Sequence, residues 1–233
     1  MTVADTKTDG IAQRPDDAAT RMNRMYRRQR RIYDATRRYY LLGRDELIAG
    51  LDLKPGATVL EIGCGTGRNL IEAARLYPDA RCRGIDVSTE MLTSAIEAIE
   101  RRGLGGRIRV AHGDATRVAP ESLFGQPRFD HVMISFSLSM IPQWRDVLER
   151  AVGWVLPGGR LHTVDFGGQE DLPRPARALL RRWLTLFGVT PRDDLEAVLA
   201  AIALREGAGL RCTRRYRGYA QHLVLTLPSV TTP

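Results

Sequence analysis

Cysteine and histidine are scarce in this chain. Its 233 residues include three cysteines and four histidines. Cys64, Cys82 and Cys212 are far apart, and no CxxC pair or His/Cys cluster has the spacing of metal ligands. The sequence therefore predicts no metal site, and we interpret Cys64 as a small residue that fills space.

Long apolar runs are missing as well. No stretch of roughly 18 apolar residues is present, so the sequence predicts no membrane-spanning helix. Residues 1–20 are polar, without a periodic apolar pattern and without the apolar core of a signal peptide. We interpret them as a disordered leader and expect a cytoplasmic location.

Acidic residues are outnumbered by basic ones. The formal net charge is +8, and between Arg21 and Arg44 nine arginines oppose a single acid, Asp34. Such a basic excess favours an acidic partner. Both nucleic acid and an anionic membrane surface fit that charge.

Residues 59–67, Val-Leu-Glu-Ile-Gly-Cys-Gly-Thr-Gly, combine a strand pattern with a glycine-rich turn. The apolar run that begins at Thr58 is typical of a buried strand, and a helical pattern begins at Asn69. Glycines at such a turn let the backbone approach a ligand, because no Cβ is in the way. The start of the helix then offers N–H groups and a positive dipole end to an anionic group.

Two ligand classes use this layout, dinucleotides and S-adenosylmethionine. The dinucleotide fingerprint is G-x-G-x-x-G, whereas this chain has G-x-G-x-G with Arg68 in the last position. Glu61, two residues before the first glycine, is placed to take an ammonium group or to order the turn, while the turn takes a carboxylate. The pattern resembles motif I of class I S-adenosylmethionine-dependent methyltransferases. A glycine-rich turn without a ligand is the alternative.

Further acids follow the next two predicted strands. Asp86 ends the strand Cys82–Ile85 and lies 19 residues past the third glycine, where doubly wound folds place an acid on ribose hydroxyls. Ser88 is predicted to cap the next helix. Asp114 follows the strand Ile108–Ala111, and in class I methyltransferases an acid there commonly meets the adenine amino group. The predicted cofactor-binding residues are Glu61, Gly63, Gly65, Gly67, Asp86, Val87, Met91, Asp114, Ala115 and Ser135.

Strands and helices alternate from Ala57 to Phe166, which predicts one α/β domain with a parallel sheet and helices on both faces. The fourth strand is predicted at Phe129–Ser135. The fifth is predicted at Leu161–Phe166, after a Pro-Gly-Gly turn. The resemblance implies a Rossmann-like class I methyltransferase fold with a mostly parallel seven-stranded sheet. We place the methyltransferase domain at residues 51–233.

Two basic amphipathic segments flank this core. Residues 21–50 are predicted as a basic helical cap, and Pro173–Phe187 as a helix within a helical insertion at about 170–206. A further helix is predicted to start at Thr190-Pro191. Either the apolar stripes pack on the sheet or on each other, or the segments dock at an anionic surface.

Several stretches carry a closer resemblance. The Asp/Asn-Pro-Pro-aromatic motif of base-amine methyltransferases is absent after the fourth strand, so a nucleic-acid base is not the expected acceptor. The chain instead resembles the betaine-lipid N-methyltransferases from about Tyr26 to Leu227. The motifs that carry the resemblance are Arg31–Arg37, Tyr39–Asp45, Gly67–Leu70, Ser137–Pro142, Val164–Gly167 and Tyr216–Ala220.

That resemblance implies three methyl transfers from S-adenosylmethionine to the amine of diacylglyceryl-homoserine, on the cytoplasmic side of an anionic membrane. Aromatic faces suit the cationic product, and an arginine suits the homoserine carboxylate. Another small amine, an RNA acceptor, or a cofactor-binding module without activity stay open as alternatives. The expected substrate residues are Tyr26, Tyr33, Arg37, Tyr40 and Tyr219.

Overall fold

A computed structural model describes residues 41–229 of the chain. The predicted leader at 1–20 lies outside this range, as does most of the predicted cap at 21–50. Within that cap the structure describes only its last part, which contains a short helix, α1 (Arg44–Ala49). Among residues 41–229, no helix has both the length and the apolar character needed to cross a bilayer.

Seven strands form a single sheet. They are β1 (Thr58–Ile62), β2 (Arg81–Asp86), β3 (Ile108–His112), β4 (Phe129–Ser135), β5 (Val155–Phe166), β6 (Gly209–Arg215) and β7 (Ala220–Thr226). Their order is β3-β2-β1-β4-β5-β7-β6, and only β7 runs against the others. The predicted mostly parallel seven-stranded sheet is confirmed.

Helices cover both faces of this sheet. After α1 they are α2 (Arg68–Leu76), α3 (Thr89–Glu100), α4 (Pro120–Phe124), α5 (Trp144–Gly153), α6 (Arg174–Leu186) and α7 (Leu195–Arg205). Successive strand residues point to opposite faces, and β1 shows this directly. Val59 packs in a cluster with residues of α1, α2 and α3, whereas Leu60 packs with residues of α5 and α7.

The fifth strand begins earlier than predicted. It starts at Val155 instead of Leu161, and the Pro-Gly-Gly segment lies inside it. The pairing with β4 jumps from Val155 to Arg160 at this point. Gly158 has a φ of +77°, which glycine adopts without strain, so the segment forms an irregularity in the strand in place of a preceding turn.

The second helix of the predicted insertion begins later than predicted. Helix α7 starts at Leu195, with Asp194 at its N-cap, instead of at Thr190-Pro191. The backbone N–H of Thr190 donates to the carbonyl of Ser139, and the guanidinium of Arg192 donates to carbonyls of the segment after β4. These contacts hold the stretch against its neighbour, so helical turns begin only beyond it.

Three histidines form a row across β4, β5 and β7. The Nδ1 of His131 lies 3.1 Å from the Nε2 of His162, and the ring centroids of His162 and His222 are 6.5 Å apart. Burial lowers the pKa of all three imidazoles, in the case of His131 to about 4. They are therefore neutral parts of the core at physiological pH.

Candidate cofactor and acceptor site

An open cleft of about 850 Å³ lies at the carboxyl ends of the central strands, where open α/β sheets bind ligands. The glycine turn after β1, the ends of β2 and β3, and the segment after β4 form its walls. Six of the predicted cofactor residues line it: Gly63, Gly65, Asp86, Val87, Asp114 and Ala115.

The glycine turn has a backbone that side chains would distort. Gly63, Gly65 and Gly67 all have positive φ values, between 53° and 72°. A Cβ on Gly63 would lie 2.6 Å from the Cβ of Ser137 on the opposite wall. Because it has no side chain, Gly63 lets the turn pack directly against Ser137 in the segment after β4.

The sequence predicts that N–H groups at the glycine turn bind a ligand, but several of them already donate hydrogen bonds within the protein. The N–H groups of Gly63 and Cys64 donate to the carbonyl of Ile85, and that of Gly67 donates to Cys64. The N–H of Gly65 donates to the Asp86 carboxylate at 2.7 Å. The turn closes on itself and on β2 through these bonds, which fixes its shape.

Two carboxylates end the neighbouring strands β2 and β3. The Asp86 carboxylate also accepts from the N–H of Ser88 at 2.9 Å, and Ser88 caps α3 as predicted. The Asp114 Oδ1 accepts from the N–H and the hydroxyl of Thr116 at 2.9 and 2.7 Å. Both acids are held in fixed orientations at the cleft and suit hydroxyl and amino groups of a nucleoside.

Four predicted cofactor residues lie behind the cleft wall. Glu61 is buried, and its Oε1 accepts from the Asn69 amide at 2.7 Å, which ties β1 to α2. This contact favours the ordering role for Glu61 over direct contact with an ammonium group. The other three pack nearby: Gly67 precedes α2, Met91 is buried on α3, and Ser135 is buried at the end of β4.

An aromatic row that the sequence did not predict leads away from the cleft. Phe136 lines the cleft in a left-handed conformation with a φ of +52°, and it packs edge-on against Phe166, with centroids 4.9 Å apart. Phe166 meets Tyr219 at 5.6 Å, again edge-on. Burial raises the pKa of Tyr219 to about 12, so its hydroxyl stays protonated. Of the five expected substrate residues, only Tyr219 is described; Tyr26, Tyr33, Arg37 and Tyr40 lie outside residues 41–229.

Two side chains that are distant in sequence, Asp165 and Arg192, anchor the segment after β4. The buried Asp165 carboxylate accepts from the N–H of Ser139 at 3.0 Å, and burial raises its pKa to about 6. The Arg192 guanidinium donates to the carbonyls of Leu138 and Ile141 at 3.1 and 2.9 Å. Neither anchor was evident from the sequence, because each partner lies far away along the chain.

The cleft contains few groups that can exchange protons. Of the described residues that line it, the ionisable ones are Asp86 and Asp114, both at the ends of β2 and β3. The wall after β4 presents Phe136, Ser137 and Met140. Such a site supplies position and orientation to a reaction, and little acid–base help.

Comparison with known proteins gives a consistent result. Residues 59–159 match the protein-family model described as a methyltransferase domain. A demethylmenaquinone methyltransferase of Bacillus cytotoxicus is 32% identical over 119 residues, which cover 51% of this chain and 48% of that relative. The chain thus spans about half the length of this relative.

Solved structures match over a larger part of the chain. An O-methyltransferase family protein from Burkholderia thailandensis has a TM-score of 0.69 at 20% identity, over 91% of this chain and 64% of its own. A SAM-dependent methyltransferase from Aquifex aeolicus has a TM-score of 0.61 at 19% identity, over 86% of this chain and 97% of its own. The fold is that of the class I methyltransferases, as the sequence predicted, and the cofactor of this domain is S-adenosylmethionine.

Proposed function

We propose that this chain, whose residues 59–159 match a methyltransferase-domain family model and whose fold is that of the class I methyltransferases, methylates a lipid amine. The proposed acceptor is diacylglyceryl-homoserine, and three transfers give diacylglyceryl-trimethylhomoserine. The observation that carries the proposal is Phe136, which lines the cleft beside the glycine turn and is backed by the aromatic row that continues to Phe166 and Tyr219.

The described residues fit the cofactor. The absence of a Cβ at Gly63 lets the glycine turn pack against Ser137 at the wall of the cleft, and Asp86 and Asp114 are oriented by backbone N–H groups. In the proposed arrangement Asp86 holds the ribose hydroxyls and Asp114 meets the adenine amino group. S-adenosylmethionine supplies a sulfonium methyl group, which needs a positioned nucleophile more than covalent help.

The chemistry of the cleft favours an amine acceptor. A hydroxyl acceptor needs a base that removes its proton as it attacks, whereas an amine that has released its proton to solvent attacks directly; the first and second methylated products must each release a proton before the next transfer. Among the described lining residues, the segment after β4 offers no ionisable side chain. Successive methylation creates a permanent cation, and aromatic faces attract such groups by about 0.5–2 kcal/mol each.

Three of the segments that resemble the betaine-lipid N-methyltransferases meet beside the wall after β4. Ser139, from the motif Ser137–Pro142, donates its N–H to Asp165 of the next motif. The N–H of Gly167 donates to the carbonyl of Tyr219, which belongs to the motif Tyr216–Ala220. Their contact at one place, although they are distant in sequence, supports the assignment of a shared acceptor wall.

An acceptor panel tests the proposal. The purified full chain is incubated with S-adenosylmethionine and, separately, with diacylglyceryl-homoserine, a soluble homoserine analogue, a demethylmenaquinol and an RNA, and products are identified by mass spectrometry. We expect methylation of the lipid amine. Methylation of another acceptor with none of the lipid would overturn the proposed substrate, and no transfer to any acceptor would count against the enzyme assignment.

A quinol is the second candidate acceptor. The 32% identity over 119 residues to a demethylmenaquinone methyltransferase favours it. A quinol carbon or oxygen acceptor would also suit an apolar, aromatic wall. The same panel separates the two, because the methylated atom differs.

A further inference from the structure

Helix α6, Arg174–Leu186, packs weakly against the rest of the protein. Of its thirteen residues, only Leu184 is buried. Leu179 and Leu186 are 71% and 74% exposed. The apolar residues of this helix are therefore divided between the core and the solvent.

The exposed leucines share one side of the helix. Leu179 and Leu186 are seven residues apart, which is close to two full turns. Leu180 and Leu184 lie on the side that meets the protein, where Leu184 is 1% exposed. Helix α6 thus has one apolar side that packs and a second that faces outward.

Positive charge accompanies the outward leucines. The helix contains four arginines and no acidic residue. Arg181 pairs with Asp193, whereas Arg174, Arg177 and Arg182 form no ion pair among residues 41–229. An outward apolar side flanked by unpaired arginines complements an anionic lipid surface, where the leucines enter the acyl boundary and the arginines meet the headgroups.

The helix ends beside the cleft. Phe187, directly after α6, packs against Met91, as does Met140, which lines the cleft. A surface that binds α6 would therefore lie close to the segment after β4. We propose that α6 docks the protein on an anionic bilayer, and this inference rests on the proposed function in that a lipid acceptor would enter from that bilayer.

The exposed leucines favour a bilayer over RNA as the partner. Arginines alone serve either anion, because both present phosphate groups. The exposed apolar surface of Leu179 and Leu186 can be buried among the acyl chains of a bilayer. A phosphate backbone offers no apolar surface against which these leucines could pack.

Vesicle co-sedimentation of the full chain tests this. Vesicles of phosphatidylcholine alone are compared with vesicles of equal parts phosphatidylcholine and phosphatidylglycerol, at low and high salt. We expect binding to the anionic vesicles that weakens as salt rises. The double variant Leu179→Ser with Leu186→Ser should bind at least about tenfold more weakly. Arg174→Gln with Arg182→Gln should bind about 25-fold more weakly at low salt.

Matched controls alter equally exposed residues elsewhere. Leu204→Ser removes a leucine that is 86% exposed on α7, and Arg128→Gln removes an exposed arginine before β4. Both controls should bind vesicles like the unaltered chain. Equal binding of the control and α6 variants, or binding to RNA with none to vesicles, would overturn the inference. Calorimetry of S-adenosylmethionine binding on each variant reports whether the fold and cofactor site are intact, and the acceptor panel reports methyl transfer without vesicles, so a failure of docking is distinct from a failure of the proposed function.

Discussion

The Asp86 carboxylate accepts a hydrogen bond from the backbone N–H of Gly65 at 2.7 Å. This contact joins the end of β2 to the glycine turn after β1, the two features that suggested a cofactor site in the sequence. The same carboxylate accepts from Ser88 and so also positions the start of α3. One side chain therefore links the turn, the second strand and the next helix, and it lines the cleft.

Loss of the Asp86 carboxylate should weaken S-adenosylmethionine binding. We expect Asp86→Ala to cost roughly 1.5–3 kcal/mol of binding free energy, because hydrogen bonds to a charged acceptor are lost. Asp86→Asn keeps an oxygen that can accept from Gly65 and should lose less. Titration calorimetry measures both. Asp79→Ala, at an exposed acid away from the cleft, is the control; unchanged affinity in Asp86→Ala would contradict the assignment.

Adding a side chain at Gly63 should disrupt cofactor binding, because the turn packs directly against Ser137. Gly63→Ala places a Cβ 2.6 Å from the Cβ of Ser137 and strains a backbone with a φ of +71°. Gly56→Ala is the matched control, since Gly56 has a φ of +77° with nothing within 4 Å of the added Cβ. The control should cost about 1 kcal/mol of unfolding free energy and leave binding intact.

A second variant separates the contact from the strain. Ser137→Gly removes the atoms that a Cβ on Gly63 would meet. We expect the double variant Gly63→Ala with Ser137→Gly to recover part of the binding that Gly63→Ala loses. If the double variant binds no better than the single one, backbone strain and not the clash with Ser137 explains the defect.

Loss of the Arg192 contacts to the segment after β4 should affect turnover of the acceptor more than cofactor binding. Arg192→Met removes the donors to the carbonyls of Leu138 and Ile141 and should lower the free energy of unfolding by about 1–3 kcal/mol. We expect a raised KM for the lipid with a nearly unchanged Kd for S-adenosylmethionine. Arg145→Met is the control, because Arg145 also lies over Trp144 without reaching those carbonyls. Equal effects of both variants on KM would argue against an anchoring role for Arg192.

The histidine row should make the fold sensitive to acid. Burial lowers the pKa of His131 to about 4 from an ordinary value of 6.5, so the unfolded chain binds more protons between these values. The contribution of His131 to the free energy of unfolding is therefore fully present above pH 6.5. It is lost as the pH falls toward 4, which lowers the free energy of unfolding by roughly 2–3 kcal/mol for His131 alone. Denaturant unfolding at several pH values measures this. His131→Gln should flatten the dependence; the same slope in both proteins would contradict it.

The parts of the fold that the sequence predicted depend on local patterns. The apolar run before Gly63 and the apolar residues of β4 are strands because they are buried on both faces, which a single stretch of sequence reveals. The carboxylates Asp86 and Asp114 were predictable because parallel strands end at one edge of the sheet. Local signals therefore sufficed for the cofactor side of the cleft.

The acceptor side depends on contacts between distant segments. Phe136, Phe166 and Tyr219 meet only because β5 lies between β4 and β7 in the sheet. Helix α7 begins later than predicted because Arg192 is held by carbonyls of the segment after β4. Those carbonyls lie more than fifty residues earlier in the chain. Neither the order of strands in a sheet nor contacts to distant backbone carbonyls leave a periodic pattern in the sequence. These contacts are therefore evident only in the structure.

The most direct measurement follows methyl groups onto the lipid. The full chain is incubated with diacylglyceryl-homoserine and S-adenosylmethionine whose methyl group carries deuterium, and the lipid is analysed by mass spectrometry over time. The account predicts lipid that gains one, two and then three labelled methyl groups on its amine, with the series slowed in Asp86→Ala. Bound S-adenosylmethionine with no label on the amine, or label on carbon or oxygen only, would contradict it.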